Sequence, residues 1–152
     1  MIRVAVDPAP IDIAIELAGI EEIGAGAVAS FTGIVRGDDG VNCLELEHYP
    51  GMTEAALCEL AEQAMARWAL LAAVIVHRVG PMVPGERVVF IATTAAHRHA
   101  ALEACAYLID RLKTDAPFWK REHRSGATSW VEVRPGDDQA ASRWVDQATV
   151  PD

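Results

Sequence analysis

The sequence predicts an α+β fold, in one domain, with a mixed or antiparallel sheet. Two segments, residues 52–70 and 96–113, carry apolar side chains at helical spacing, and strand-like segments stand in pairs between and after them. The 152 residues have room for one domain, which we place at residues 1–152 with an uncertain tail at 135–152. No glycine-rich phosphate loop follows a strand, so nothing supports a dinucleotide or nucleoside triphosphate site.

The first third of the chain predicts a strand, a helix and a second strand. Residues 2–6 form a short apolar run that is typical of a strand. Residues 11–17 alternate as a strand does, but Pro10 before them and Gly19 after them favour a short helix. Residues 25–35 are apolar, β-branched and aromatic, so we predict a largely buried strand that ends at a turn.

The middle of the chain predicts the most regular element. Residues 43–49 alternate cleanly and predict a strand with one solvated face. In residues 52–70, apolar positions recur three, four, seven, eight and eleven places after Leu57, which is the stripe of an amphipathic helix. Residues 73–79 and 87–94 predict two more strands, joined by a segment rich in glycine and proline.

The last third predicts another helix and a final pair of strands. Residues 96–113 place small and apolar side chains on one helical face, and Pro117 ends any continuation of that helix. Residues 118–121 and 128–133 predict a strand pair around a Ser-Gly turn. The alternation of strand pairs with helices favours a mixed or antiparallel sheet over a doubly wound one.

The charge is distributed unevenly along the chain. The whole chain carries a net charge of −9, but residues 97–124 carry six basic and four acidic side chains together with three histidines. Nonspecific nucleic-acid binding needs a broad positive face, so we expect no nucleic-acid partner. One basic region in acidic surroundings instead favours a small anionic ligand that is bound locally.

Composition also bears on the compartment. No stretch approaches the ~18 apolar residues of a membrane span, and the N-terminus lacks the basic and long apolar regions of a signal peptide. Three cysteines without a CxxC pair suggest neither a disulfide framework nor a zinc site. We therefore expect a cytoplasmic protein without a membrane partner, a metal or a cofactor.

Lysine is the rare basic residue of this sequence. Of 13 basic residues, eleven are arginine and only Lys113 and Lys120 are lysine. An ammonium group can lose its proton and act as an acid, base or nucleophile, whereas a guanidinium cannot. Chance placement, a helix-end cation at Lys113 and an edge-strand charge at Lys120 are the alternatives. Because Pro117 breaks any helix between them, the lysines share a pocket only if the chain reverses there.

Three other basic residues are candidates for an anion site. His97 and Arg98 lie where a helix begins, and free backbone N–H groups favour an anion there. Arg36 follows an apolar strand and precedes a glycine-rich turn, from which its side chain could enter a pocket. For each of them, a solvated surface position is the alternative.

The remaining histidines and the cysteines point only weakly to a site. His48 and His77 lie in predicted strands without a supporting pair, so we interpret them as structural residues. His97 and His99 could bind a metal, but no further ligands support such a site. The cysteines have no activating neighbour and are interpreted as buried structural residues, namely Cys43, Cys58 and Cys105.

Five sequence blocks, in this order, are specific to one family. The blocks are FTGIVR (residues 31–36), LEHYPGM (46–52), HRVG (77–80), AHR (96–98) and LKTDAPFWKRE (112–122). Over residues 25–134 the chain therefore resembles the large, catalytic subunit of molybdopterin synthase. Several ordered blocks are far more specific than any single motif.

This resemblance implies an α/β-hammerhead fold and a sulfurtransferase without a cofactor. In the family, a homodimer of this subunit binds two copies of a small ubiquitin-like sulfur-carrier subunit, which makes a heterotetramer. The carrier's Gly-Gly tail, activated as a thiocarboxylate, enters the active site. Two sulfurs then pass to cyclic pyranopterin monophosphate and form the dithiolene of molybdopterin. The expected partners are therefore a second copy, the carrier and the pterin phosphate.

The resemblance also implies site residues. The family's two essential lysines fall on Lys113 and Lys120. Its other substrate-binding positions fall on Ile34, Val35, Arg36, His97, Arg98, Arg121 and Glu122. Arg134 matches an arginine that reaches the neighbouring subunit's site. Ile34 stands where some relatives have a basic residue, so this chain has one charge fewer at that position.

Two other functions remain open on the sequence alone. A non-catalytic anion-binding or assembly module could keep the fold and lose turnover, although all the expected basic residues are present. A metal-binding regulator would use His97 and His99 and would carry stoichiometric metal after purification.

Overall fold

The structure is a computed structural model, and it describes residues 1–130, 135–142 and 144. Its elements in chain order are β1 (Ile2–Asp7), α1 (Ile13–Glu21), β2 (Ala27–Ile34), β3 (Val41–His48), α2 (Met52–Trp68), β4 (Ala72–Arg78), β5 (Gly80–Met82), β6 (Arg87–Ala95), α3 (Arg98–Asp115), β7 (Phe118–Arg124), β8 (Ala127–Trp130) and α4 (Pro135–Ser142). A single 3-10 turn, Asp38–Gly40, precedes β3. The α+β class predicted from the sequence is confirmed.

The first sheet is mixed and has helices on both faces. Its strand order is β1-β4-β6-β2, with β1 parallel to β4 and the other neighbours antiparallel. Successive residues of β4 point to opposite faces, and all seven are buried. Ala73 and Ile75 face α2 and α3, whereas Val74 and Val76 join the cluster that α1 covers through Ile20.

The second sheet is antiparallel and lies beside the first. Its strand order is β5-β3-β7-β8, and β3 pairs with β7 over its whole length. A small apolar cluster of Val35, Leu46 and Met82 lies beneath it. Two sheets are therefore present where the sequence had predicted one mixed or antiparallel sheet, because β5 and β7 pair with β3 and not with the first sheet.

The two long helices are those that the apolar stripes predict. In α2 the buried stripe consists of Leu57, Leu60, Ala61 and Ala64, together with Thr53. In α3 the buried residues include every position of the predicted face: Ala101, Ala104, Cys105, Leu108 and Leu112. Each fully buried leucine contributes about 2 kcal/mol to folding, so these stripes fix both helices on the first sheet.

One prediction about burial is wrong. Residues 25–35 do form a strand, but within Ala27–Ile34 only Ala29 is buried. Val28, Phe31 and Ile34 are between 36% and 47% exposed. The physical reason is that β2 is the edge strand of the first sheet, so that one of its faces and its outer edge lie open in the single chain.

The C-terminal part contains a helix that the sequence pattern did not reveal. After β8, α4 packs against α3, and Trp144 beyond it is 4% exposed. Its indole N–H donates to Asp110 Oδ2 at 2.8 Å, and its ring meets Trp68 edge-on at 5.6 Å between ring centroids. The predicted last strand is confirmed as far as Trp130, and its residues 131–133 lie outside the described part of the chain.

Candidate active site

A cavity of about 620 Å³ opens where the last turn of α3 meets both sheets. Its apolar wall comes from β2, β3, β6, β7 and the end of α3. The polar side chains on its wall are Thr32, Arg36, His77, Lys113, Thr114, Lys120 and Glu122. Three of these side chains are cationic and one is a carboxylate, so the cavity suits an anionic ligand.

Lys113 and Lys120 line this same cavity. Lys113 lies in the last turn of α3, and the buried neighbour Leu112 fixes that turn on the core. The helix ends at Asp115, Pro117 keeps it from continuing, and the chain reverses into β7. The reversal brings two lysines seven residues apart to one wall, and both are half-buried.

β7 presents alternate side chains to the cavity. Phe118, Lys120 and Glu122 line it, as the period of two in a strand requires. Arg121 points the other way: its guanidinium lies 4.2 Å from the centre of the Trp130 ring, and its Nη2 is 3.4 Å from Glu47 Oε1. The structure therefore places Glu122 at the cavity and Arg121 on the opposite face of the second sheet.

The end of β2 supplies Ile34, Val35 and Arg36 to the cavity wall. Val35 is 4% exposed and exchanges hydrogen bonds with the 85–86 turn: its N–H donates to the Glu86 carbonyl, and its carbonyl accepts from the Gly85 N–H, each at 2.9 Å. The neighbouring Arg36 side chain is 59% exposed, with Nε 3.5 Å from Asp38 Oδ2. Arg36 therefore lies at the rim of the cavity. Its surface ion pair with Asp38 is weak, so the side chain is able to turn into the cavity.

His77 lines the cavity, although the sequence pattern predicted only a structural role for it. Its ring is stacked on Phe118, with the ring centroids 4.0 Å apart and the planes inclined by 22°. Burial, reinforced by the nearby charges of Lys113 and Lys120, lowers the pKa of His77 to about 3, despite an opposing backbone hydrogen bond at Arg78. His77 is therefore neutral at physiological pH.

His97 and Arg98 lie away from this cavity within the single chain. His97 is the N-cap of α3 and Arg98 is its first residue, whereas Lys113 lies in the last turn. Fifteen residues of helix at 1.5 Å each separate Arg98 from Lys113 by about 22 Å. Neither His97 nor Arg98 is among the residues that line the cavity. Arg134 lies outside the described residues.

The described residues contain no group of three or more histidine, cysteine or carboxylate side chains that could hold a metal ion. Within that part of the chain, His97 and His99 have no further side chains beside them that would complete a metal site. Cys105 is buried, and burial raises the pKa of its thiol to about 11, which makes it a poor nucleophile. Cys43 and Cys58 are only half-buried, so their predicted burial is wrong, and none of the three cysteines lines the cavity.

Comparison with known sequences agrees with this geometry. The sequence profile of the family described as MoaE protein matches residues 6–115, which is more than half of the chain. The chain belongs to the MoaE family. The molybdopterin synthase catalytic subunit of Escherichia coli strain K12 is 47% identical to it over 146 residues, which cover 93% of this chain and 97% of the relative.

Solved structures of MoaE proteins share the fold. A molybdopterin biosynthesis MoaE protein from Burkholderia ambifaria has a TM-score of 0.83 at 42% identity and covers 95% of this chain and 99% of that one. A molybdopterin synthase structure from Staphylococcus aureus has a TM-score of 0.77 at 33% identity, covering 86% of this chain and 96% of that one. The family resemblance drawn from the sequence blocks, and the fold it implies, are confirmed.

Proposed function

We propose that this chain is the catalytic subunit of a molybdopterin synthase. It transfers sulfur from the thiocarboxylated C-terminus of a small sulfur-carrier subunit to cyclic pyranopterin monophosphate, and so forms the dithiolene of molybdopterin. The observation that carries the proposal is the meeting of Lys113 and Lys120 in one cavity, across the reversal at Pro117. These are the chain's only two lysines, and the Escherichia coli relative, which aligns with 93% of this chain, is named as a molybdopterin synthase catalytic subunit.

The charge of the cavity fits both reactants. The pterin substrate carries a phosphate, and the carrier's tail ends in an anionic thiocarboxylate. Lys113, Lys120 and Arg36 are the cations on the cavity wall. At an effective dielectric constant of about 20, a cation 4 Å from an anion contributes about 4 kcal/mol of attraction, before the cost of removing water from both charges. A Gly-Gly tail has no side chains, so only its backbone has to enter the cavity.

We assign the chemistry to the two lysines. Lys113 acts as the principal acid/base group or stabilises the thioester-like intermediate that links carrier and substrate, and Lys120 assists it. An ammonium group stabilises the negative charge that develops on oxygen and sulfur during acyl transfer. Glu122 lines the same wall and is held by Arg124 Nη2 at 2.8 Å, so we place it as a fixed carboxylate that orients a neighbouring cation.

The remaining substrate-binding residues call for a second copy of the chain. His97 and Arg98 lie about 22 Å along α3 from Lys113, too far to touch a ligand held by the lysines of the same copy. We propose a homodimer in which this helix start, and Arg134, serve the cavity of the neighbouring copy. With two carrier subunits the assembly is a heterotetramer with two active sites.

Helix length and the state of the cysteines both bear on where the protein is located. No helix in the described part of the chain is long and apolar enough to cross a membrane. Cys43, Cys58 and Cys105 are all free thiols, which is the usual state in a reducing compartment. We propose a cytoplasmic location, which fractionation of cells that express the tagged full chain tests.

The decisive experiment is a single turnover with purified components. The full chain is mixed with thiocarboxylated carrier and cyclic pyranopterin monophosphate, and molybdopterin is measured by fluorescence after oxidation. We expect product to form with the wild-type chain and with Arg3→Met, which removes a cation outside the cavity, and to fall at least about 100-fold with Lys113→Met. Binding of intact carrier without any product would instead support a non-catalytic anion-binding or assembly module.

A further inference from the structure

His77 holds a position that the proposed chemistry does not use. Along β4 the residues Ala73, Ile75 and His77 point to the face that carries α3. The first two lie in the main apolar core, and His77 ends the row where the cavity opens beside Lys113. A polar ring therefore stands at the boundary between the core and the cavity.

The hydrogen bonding of His77 fixes its tautomer. Nδ1 lies 2.8 Å from the carbonyl oxygen of Arg78. A carbonyl only accepts, so Nδ1 carries the proton and Nε2 carries a lone pair. Nε2 has no hydrogen-bond partner among the described residues, and His77 is buried, with 5% of its surface exposed.

The surroundings of His77 also fix the orientation of its ring and keep the ring neutral. Phe118 stacks on it from β7, with the ring centroids 4.0 Å apart. Lys113, Lys120 and His48 are the titratable groups whose charges act on it, and with burial they keep it unprotonated. The cavity thus contains a rigid, uncharged hydrogen-bond acceptor among cations that only donate.

We propose that Nε2 of His77 is a substrate-orienting acceptor, which takes a hydrogen bond from an uncharged N–H or O–H group of the bound reactants. Its lone pair repels the oxygens of a phosphate or thiocarboxylate, whereas it attracts a neutral donor. The anionic groups are thereby directed to Lys113, Lys120 and Arg36, and the donor side of the ligand to His77. This inference rests on the proposed function only for the identity of the ligand.

Two reactants could supply the hydrogen-bond donor, and both of them carry neutral N–H groups. The pterin ring system carries N–H groups, and the carrier's Gly-Gly tail carries backbone N–H groups. The two sources are separated by measuring each partner alone. A binding site that loses its acceptor leaves the donor of the ligand unpaired, which weakens binding about 10- to 100-fold.

The test uses the full chain and two substitutions of His77. His77→Phe keeps an aromatic ring on Phe118 and removes the acceptor, whereas His77→Gln keeps an uncharged acceptor. We expect His77→Phe to raise the KM for cyclic pyranopterin monophosphate or the Kd for the carrier at least about tenfold, and His77→Gln to recover most of that loss. His123→Phe, on the face of β7 away from the core, is the matched control and should leave both constants unchanged. Unchanged KM and Kd in His77→Phe overturn the proposal.

A second measurement needs neither a variant nor turnover. In the wild-type chain labelled with ¹⁵N-histidine, the Nε2 resonance of His77 reports an unprotonated nitrogen and should shift when the accepting bond forms. We expect the shift on addition of the pterin phosphate or of unactivated carrier, and the responsive partner identifies the donor. An Nε2 resonance that responds to neither overturns the proposal even if His77→Phe fails to fold. If the chain gives this shift but forms no molybdopterin, the proposed function is contradicted, whereas the role of His77 as a hydrogen-bond acceptor is supported.

Discussion

Thr53 ties the start of α2 to the connection between the two lysines: its hydroxyl donates to the carbonyl oxygen of Pro117 at 3.0 Å. The same hydroxyl oxygen accepts the N–H of Tyr49 at 3.0 Å, and Thr53 is fully buried. A side chain 64 residues before Pro117 therefore holds the reversal that brings Lys113 and Lys120 to one cavity.

Removing this hydroxyl should damage both stability and activity. Thr53→Val keeps the side-chain shape but leaves the Pro117 carbonyl and the Tyr49 N–H unpaired, so we expect the free energy of unfolding to fall by about 1–3 kcal/mol. The rate of sulfur transfer should fall as well, because the connection between the lysines loosens. Urea unfolding and single-turnover rates measure the two effects. Thr53→Ser keeps the hydroxyl, and equal losses in Ser and Val variants would contradict this role.

Charge alone should not replace Lys113. Lys113→Arg keeps a cation in the cavity but one that holds its proton, so we expect the single-turnover rate to fall by at least about 100-fold if Lys113 works as an acid or base. The Kd for the carrier should change by less than about threefold, because the attraction for the anionic tail remains. A rate close to that of the wild type would restrict Lys113 to electrostatic stabilisation.

Complementation between copies tests the shared active site. One copy carries Lys113→Met, and the other carries His97→Ala with Arg98→Ala, each with its own affinity tag. If the helix start of one copy serves the cavity of the other, the mixed dimer has one intact site and about half of the wild-type activity. Homodimers of either variant should be inactive. A mixed dimer without activity would show that both groups act on the same copy's ligand.

The suppressed protonation of His77 predicts how stability depends on pH. The unfolded chain takes up a proton near pH 6.5, whereas the folded chain does so only near pH 3, so acidification over this window favours the unfolded state. From pH 7.5 to pH 5 this residue should cost the wild-type chain about 2 kcal/mol of unfolding free energy. In His77→Gln that part of the pH dependence disappears, whereas in His123→Gln it remains. Urea unfolding across the pH range measures it, and parallel curves for wild type and His77→Gln would contradict it.

The C-terminal tryptophan should anchor the end of the chain. Trp144 is 4% exposed, packs on Tyr107 and Trp68 and donates to Asp110. Trp144→Ala should therefore lower the free energy of unfolding by about 3 kcal/mol, through the cavity it leaves and the lost hydrogen bond. Trp130→Ala is the matched control, because Trp130 is 54% exposed and should cost far less. Similar thermal shifts for both variants would show that the tail does not stabilise the core.

The helices and most strands were predictable because their apolar periodicity is local. Leu57, Leu60 and Ala64 repeat at helical spacing, and the tertiary structure buries the face that this spacing defines. The burial of β2 was not predictable in the same way, since an edge strand and a central strand share one composition. Likewise, β5 has three residues and exists only because β3 pairs with it.

Some features of the site could be predicted from the sequence by simple helix and strand geometry. The period of two along residues 118–124 already separates Arg121 from Lys120 and Glu122, and the length of α3 already separates Arg98 from Lys113. His77 was not within reach, because no local pattern distinguishes a core histidine from one at the end of a buried row. Its place at the cavity depends on β4 and the end of α3 coming together there, which only the tertiary packing determines.

Because both lysines of this protein border the same cavity, the composition of the chain provides a spectroscopic tool. Protein grown with isotopically labelled lysine contains two labelled side chains, and each one reports on the cavity to which we assign the reaction. A spectrum of two signals then follows the arrival of the carrier, the binding of the pterin and the release of product, without assignment of the other residues. In most proteins of this size such a probe would have to be engineered.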